Sequence, residues 1–147
     1  MSEANTLRLL AVDHDDLNVI SAACQDAVCK PADLSYDGRK RRFTIELNRF
    51  RWEVDKADRK TLQRVRSALS FEDVTGVKVR GLPSKQEDLV LSVLSLDWKP
   101  DEDPPGGEVR VVFAGDGELV IAADCLDVTL IDVSQPWSTK HRPAHKD

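Results

Sequence analysis

The sequence predicts an α+β fold: a bent antiparallel sheet or partly closed barrel of about eight strands, with one N-terminal amphipathic helix. Two observations support it. Apolar residues recur at helical spacing once, between residues 17 and 28, and after Pro31 the apolar period is two, with turn residues between the runs. The chain has 147 residues, 41% of them hydrophobic, which is enough to form one core without a disulfide or metal.

The N-terminal part of the chain predicts a short strand followed by the helix. Residues 7–12 form the strand, and Asp13 is placed to cap the helix because its side chain can accept a hydrogen bond from a free N–H of the first turn. We expect the helix to end before Lys30-Pro31, since proline interrupts helices. Five apolar residues define its buried face: Leu17, Ile20, Cys24, Ala27 and Val28.

Residues 33–36 and 43–54 predict a hairpin around the turn Asp37-Gly38. In the second strand the apolar alternation slips by one residue, which is typical of a β-bulge, and we place the bulge at Asn48-Arg49. The apolar face before the slip consists of Phe43, Ile45 and Leu47, and after it of Phe50, Trp52 and Val54.

A similar layout recurs near the C-terminus. Residues 109–115 lead into the turn Asp116-Gly117, and the next strand slips at Asp124-Cys125 before continuing over residues 126–130. The repetition leaves two explanations open, an internal duplication or two bent strands with the same geometry. Alternating runs at 65–71, 77–79 and 89–98 predict the remaining strands, residues 55–61 a charged linker, and 101–107 an acidic loop. We assign residues 1–138 to one α+β domain and 139–147 to a polar, frayed tail.

Charge is distributed unevenly along the chain. The net charge is −5, yet residues 39–66 contain eleven basic and four acidic residues. Four of these cations lie in the predicted hairpin loop, and two more project from the predicted bulged strand on the face opposite its apolar side chains. The predicted binding residues are Arg39, Lys40, Arg41, Arg42, Arg49 and Arg51. The basic segment continues with Lys56, Arg59, Lys60, Arg64 and Arg66.

Guanidinium groups aligned on one face can bind carboxylates or phosphates. We therefore interpret the chain as a non-catalytic binding or interaction module that uses the basic face of residues 39–66. An acidic protein partner or a second copy fits better than nucleic acid, because domains that bind phosphate backbones are usually basic overall. Two alternatives stay open. The arginines could pair with internal acids, or the chain could be a small-molecule-binding protein or enzyme with a pocket between the helix and the bulged strands.

The sequence contains no motif for nucleophilic catalysis and no phosphate-binding glycine loop, so we expect no catalytic residue and no cofactor. We expect no metal site either. His14 lies among the acids of a helix N-terminus, His141 and His145 flank Pro143 in the tail, and residues 101–107 lack the calcium-loop pattern.

The location that we expect is the cytoplasm. The three cysteines are an odd number and are interpreted as reduced thiols. The first residues lack the pattern of a secretory signal, and the most apolar stretch, residues 89–96, is too short to span a membrane.

Several motifs resemble a known family. They are DLNVISA at 16–22, QDAV at 25–28, LNRFRWE at 47–53, VFAG at 112–115 and PWST at 136–139. In this order they are similar to an alphaproteobacterial family described as domain of unknown function 2948, over residues 7–145. The resemblance implies a bacterial cytoplasmic protein. It implies no activity and no catalytic residue.

Overall fold

The computed structural model describes residues 7–53, 62–82, 89–140 and 143. These residues include the α-helix α1 (His14–Cys24), a short 3-10 turn at Pro31–Asp33, two further helical residues, Trp52 and Glu53, and eleven strands. The strands are β1 (Arg8–Ala11), β2 (Val28–Cys29), β3 (Leu34–Asp37), β4 (Arg42–Phe50), β5 (Gln63–Phe71), β6 (Val74–Arg80), β7 (Leu91–Pro100), β8 (Gly107–Phe113), β9 (Glu118–Ala123), β10 (Val128–Asp132) and β11 (Trp137–Ser138).

The strands form one antiparallel sheet in the order β1-β10-β5-β4-β2-β7-β8-β9-β6, with β3 paired to β4 and β11 to β5. The predicted class, an antiparallel sheet with one N-terminal helix, is confirmed. The sheet is open, with β1 and β6 at its two edges, so the barrel alternative does not describe it. The estimate of about eight strands was too low, in part because β2 and β11 have two residues each and are too short to show an alternation.

The helix packs against β7, β1 and β4. Its buried residues Leu17, Ile20 and Cys24 join the inward-facing side chains of the strands in one core. Burying one such aliphatic side chain contributes about 1.5–3 kcal/mol, so this packing holds the helix on the sheet.

The predicted N-cap is confirmed, since the Asp13 carboxylate accepts a hydrogen bond of 2.8 Å from the Asp16 N–H. The helix ends before Lys30-Pro31 as expected, but it is shorter than its predicted apolar face, because α1 stops at Cys24 and contains neither Ala27 nor Val28. Asp26 has a left-handed φ of +63°, and Val28 then belongs to β2. Val28 pairs with both β4 and β7. These sheet contacts outweigh the helical spacing of apolar residues, which continues beyond the end of α1.

The first predicted hairpin is confirmed by the β3–β4 register, but its second strand is shorter than the predicted 43–54, because β4 ends at Phe50 and Trp52 and Glu53 are helical. The predicted bulge at Asn48-Arg49 is wrong. Strand β4 pairs with β5 without a register shift from Phe43 to Phe50. Arg49 continues the buried face of Leu47, so the apolar pattern slipped because a charged residue occupies an inward position. Val54 and the linker at 55–61 lie outside the described residues.

The second predicted hairpin is confirmed as β8 and β9, although Gly107 belongs to β8 and not to the acidic loop. The slip at Asp124-Cys125 is the place where the chain leaves β9 and continues to β10, beside β5. The two sequence slips therefore have different structures. Just before the predicted tail, β11 pairs with β5, and at the first residue of the tail the Thr139 N–H donates to the Leu62 carbonyl at 2.9 Å. The domain boundary at residue 138 stays a prediction.

Candidate functional site

The candidate site is the turn that joins β3 to β4. We call residues 39–42 the basic turn: Arg39, Lys40, Arg41 and Arg42. Asp37 fixes its backbone, because one carboxylate oxygen accepts hydrogen bonds from the N–H groups of Arg39 at 3.1 Å and Lys40 at 3.2 Å. Arg41 adopts a left-handed φ of +53°, and Arg42 begins β4. The turn thus has a defined main-chain conformation on which the side chains are displayed.

Arg39 and Lys40 are exposed. Within the described parts of the chain, no carboxylate lies within the 4.0 Å of an ion pair from either side-chain cation. Their charges are therefore available to a partner, and the prediction that they lie in a hairpin loop is confirmed.

Arg41 and Arg42 are partly committed to internal contacts. The Arg41 guanidinium binds the Asp124 carboxylate and donates to the carbonyls of Asp73 at 3.3 Å and Val74 at 3.4 Å. The hydrogen bond with Asp124 raises the pKa of Arg41 above its usual value. Arg42 donates to Glu72 at 2.7 Å. These two arginines join the turn to the junctions of β5 with β6 and of β9 with β10.

Arg49 does not lie on a basic face. Its side chain is fully buried, and the prediction that it projects to the opposite, solvated face is wrong. The Asp132 carboxylate accepts two hydrogen bonds of 3.1 and 3.0 Å from the guanidinium, and the Glu53 carboxylate accepts two more of 3.0 and 2.9 Å. Ser67 completes the group by accepting from Arg49 at 3.2 Å and donating to Asp132 at 2.7 Å.

The two carboxylates keep this buried arginine charged. Burial alone lowers the pKa of Arg49, but the hydrogen bonds with Glu53 and Asp132 outweigh it, so the pKa is raised. Burial likewise raises the pKa of Glu53, but the combined opposing effects of Arg49, a main-chain hydrogen bond and Arg51 leave it below its usual value. Asp132 also accepts a hydrogen bond of 2.9 Å from the Leu7 N–H, which ties the start of β1 to the same group.

Arg51 is buried as well, with 4% of its surface exposed, so the predicted exposed row of Arg49 and Arg51 does not exist. Its guanidinium donates to the Gln63 side chain and lies 3.7 Å from Glu53. Its main-chain N–H donates to the Gln63 carbonyl at 2.8 Å. Both arginines of the LNRFRWE motif therefore act in the interior.

The rest of the basic segment is also held internally where it is described. Arg66 binds Asp33 at 2.9 Å and Asn48 at 3.1 Å and lies 3.4 Å from Glu46. Arg64 donates to the Asn48 carbonyl at 3.2 Å, and burial lowers its pKa. Lys56, Arg59 and Lys60 lie outside the described residues. Among its described residues, the segment thus contains two exposed cations with no internal carboxylate within ion-pair distance and a larger internally paired set.

The alternative site, a pocket between the helix and β4, falls on the packed region that contains Cys24 and the Arg49 group. A cavity of about 300 Å³ lies elsewhere, on the β7–β8 hairpin. Its walls mix both signs of charge with one aromatic ring: Asp97, Trp98, Lys99, Pro100, Glu108 and Arg110. Nothing in this arrangement selects a ligand class.

The described residues contain no group of three or more His, Cys, Asp or Glu side chains that could hold a metal ion. The His14 imidazole lies 3.6 Å from Asp97 and 3.9 Å from Asp15. His141 and His145 fall outside the described residues. Cys24, Cys29 and Cys125 are all free thiols, and burial raises the pKa values of Cys24 and Cys29 to about 12.

Sequence reasoning missed the partners of Arg49. Asp132 follows it by 83 residues, and no local pattern connects the two. One signal was present, because Arg49 falls at the next position of the alternation Phe43, Ile45 and Leu47. Extending that alternation by one residue would have placed the guanidinium in the core.

The sequence comparison identifies the family. A family model for proteins of unknown function, DUF2948, matches residues 7–145. The chain belongs to this family. Searches of curated proteins and of solved structures gave no match. Among the residues that the structure describes, no helix is long and apolar enough to cross a membrane.

Proposed function

We propose that the protein is a non-catalytic binding module whose basic turn contacts carboxylates of an acidic protein partner. One observation carries the proposal. Arg39 and Lys40 are exposed on a turn that Asp37 holds in place, and within the described chain their charges have no carboxylate counterpart. A fixed backbone lowers the conformational cost of binding, and exposed cations steer an acidic partner toward the turn.

Arg49 and Arg51 have a different role in this proposal. They are buried against their own carboxylate and amide partners, so they support the hairpin and do not touch the partner. The contact surface is therefore smaller than the sequence predicts and consists of Arg39 and Lys40, with the exposed parts of Arg41 and Arg42.

The charge balance favours a protein partner over nucleic acid. The chain has a net charge of −5, and nonspecific binding to nucleic acid requires several phosphates to be neutralised by clustered cations. Two cations that have no carboxylate partner among the described residues match a short acidic segment better than a long phosphate backbone.

We also propose that the module works in the bacterial cytoplasm. The three free thiols support this location, because a reducing compartment keeps cysteines unpaired.

The test is selection of a random peptide library on the immobilised protein. We expect peptides rich in Asp and Glu to be enriched. Their affinity should fall by roughly tenfold or more in the variant Arg39→Glu/Lys40→Glu, since two attractive contacts become repulsive. The matched control is Lys99→Glu/Lys140→Glu, which changes the net charge equally at exposed positions outside the turn.

Three results would contradict the proposal. They are enrichment of peptides without acidic residues, an equal loss of affinity in the control variant, and tighter binding of a single-stranded oligonucleotide than of the selected peptides. Analytical ultracentrifugation of the protein alone covers the remaining alternative, because a dimer abolished by the turn variant would assign the turn to a second copy.

A further inference from the structure

Strand β6 has an open edge. It is the last strand in the sheet order, and among the strands that the structure describes it pairs only with β9. Its seven residues, Val74–Arg80, therefore present one row of main-chain groups that no described strand uses. Such an edge is a template for the addition of another strand.

The ladder between β8 and β9 shows how the β9 main chain is oriented. The Phe113 N–H donates to the Gly117 carbonyl at 2.8 Å. Hydrogen-bonded residue pairs alternate along an antiparallel ladder, so Leu119 and Ile121 also direct their main-chain groups toward β8. Val120, between them, directs its groups toward β6.

The same alternation identifies the groups at the open edge of β6. Val120 is opposite Lys78, so Lys78 directs its N–H and C=O toward β9. Its neighbours Val77 and Val79 direct theirs the other way, toward the open edge. The Val79 side chain is 57% exposed and offers an apolar contact at the same place.

The basic turn lies at one end of this edge. The Val74 N–H donates to the Arg41 carbonyl at 2.9 Å, and the Val74 carbonyl accepts from the Arg41 guanidinium at 3.4 Å and the Tyr36 hydroxyl at 3.5 Å. Val74 therefore directs its main-chain groups toward the turn, on the side away from β9. The open edge and the turn form one continuous surface.

Several exposed cations lie along this surface. Lys78 is exposed, and no carboxylate of the described residues lies within ion-pair distance of it. Arg80 is 61% exposed and has Glu118 at 3.5 Å. Together with Arg39 and Lys40 they place four exposed cations on this surface in a protein whose net charge is −5, beside the carboxylates of Glu118 and Asp124.

We propose that an extended acidic segment of the partner protein adds to β6 as a further strand and runs onto the basic turn. The main chain of the segment bonds to Val77 and Val79, and its carboxylates contact Lys78, Arg80 and the turn. This proposal rests on the proposed function and specifies its geometry. A second copy fits less well, because antiparallel pairing of two β6 edges brings Lys78 and Arg80 of both copies together, and like charges at cross-strand positions are destabilising.

The probe is a capped peptide in which Glu and Val alternate over the length of β6. Val79→Pro removes an N–H that faces the open edge but leaves the bonds from Lys78 to β9, and edge strands tolerate proline at such positions. Val79→Thr is the matched control because it keeps the N–H. We expect the control to bind as the wild type does. The proline variant should bind the peptide roughly tenfold more weakly, because it loses one main-chain hydrogen bond to the peptide and the close approach of the two strands at that position.

A second measurement guards against misfolding of the proline variant. Two versions of the peptide have the same charges, but one is methylated on its odd-numbered and the other on its even-numbered main-chain nitrogens. Because alternate N–H groups of an added strand face β6, we expect one version to lose binding to the wild-type protein and the other to keep it. If both bind as well as the unmodified peptide, strand addition is wrong and charge alone binds the segment. If the Glu–Val peptide fails while library-selected acidic peptides bind at the turn, strand addition is wrong and the proposed function stands. If no acidic peptide binds, both proposals are wrong.

Discussion

Arg39 and Arg49 belong to the same basic segment but lie in opposite environments. Arg39 is exposed on a turn and, in the described part of the molecule, has no carboxylate within ion-pair distance. Arg49 is fully buried between Asp132 and Glu53. The difference shows that a local excess of positive charge in a sequence does not identify a binding surface. Long-range pairing decides which cations are left for a partner.

The buried arginine joins parts of the chain that are distant in sequence. Through Asp132 and Ser67 it ties β4 to β10 and β5, and the hydrogen bond from Leu7 to Asp132 adds the start of β1. A buried charge pair costs desolvation energy, so its net contribution to stability is modest. Removing one partner is much more harmful, because it leaves the other charges buried without compensation.

The largest effect should follow from removing the buried guanidinium. Arg49→Met should lower the free energy of unfolding by about 3–5 kcal/mol, since Asp132 is left buried and uncompensated. Urea denaturation followed by circular dichroism measures the change. In the double variant Arg49→Met/Asp132→Leu the two effects should be less than additive by about 0.5–3 kcal/mol. Strict additivity would show that the pair is not coupled.

Thiol reactivity offers a second comparison of the interior with the surface. Cys24 and Cys29 are buried with pKa values of about 12, so their thiolates are scarce and inaccessible at neutral pH. The hydrogen bond with Asp73 raises the pKa of Cys125 too, but this residue is only partly buried. We expect Cys125 to react with iodoacetamide at least about tenfold faster than the other two. Peptide mapping by mass spectrometry identifies the labelled site. Early labelling of Cys24 would contradict the burial of this residue at the end of α1.

The effect of pH should be smaller because Glu53 is 37% exposed. Its pKa is lower in the folded protein than the ordinary value of 4.5, so its ionised form stabilises the fold above that value. This stabilisation is lost as the pH falls from 4.5 through the lower folded-state pKa. We expect the unfolding free energy of Glu53→Gln to depend less on pH in this range than that of the wild type. If the unfolding free energies of the two proteins changed equally with pH, ionised Glu53 would not stabilise the fold.

The smallest effect should follow from truncating the exposed cations. Arg39→Ala and Lys40→Ala should each change the unfolding free energy by less than about 0.5 kcal/mol, as is usual for surface positions. The Asp37 hydrogen bonds to both main-chain N–H groups survive these changes. Thermal denaturation measures the effect. A substantial loss of stability would mean that the turn is held by its side chains and that the contrast with Arg49 is overstated.

The fold class was predictable where the pattern was regular. Phe43, Ile45 and Leu47 alternate in β4, as do the residues of β5, and Asp13 caps the helix as its position indicates. The end of the helix was not predictable from spacing alone. Val28 continues the helical period, and only its pairing with β4 and β7 shows that it belongs to a strand.

The candidate site was predictable in part. Arg39 and Lys40 lie in a turn, as the Asp37-Gly38 signal indicates. The burial of Arg49 depends on an acid in β10, and the open edge of β6 depends on the strand order, neither of which local sequence reports. The inferred contact surface therefore combines a turn visible in the sequence with a sheet edge visible only in the fold.

The most direct test of the account is a titration of the ¹⁵N-labelled protein with the Glu–Val peptide, followed by amide chemical shifts. We expect shifts at residues 38–42 and 74–80, with the amides of Arg49 and Arg51 nearly unchanged. Shifts confined to the β7–β8 hairpin around Lys99 and Arg110, or large shifts at Arg49, would contradict it.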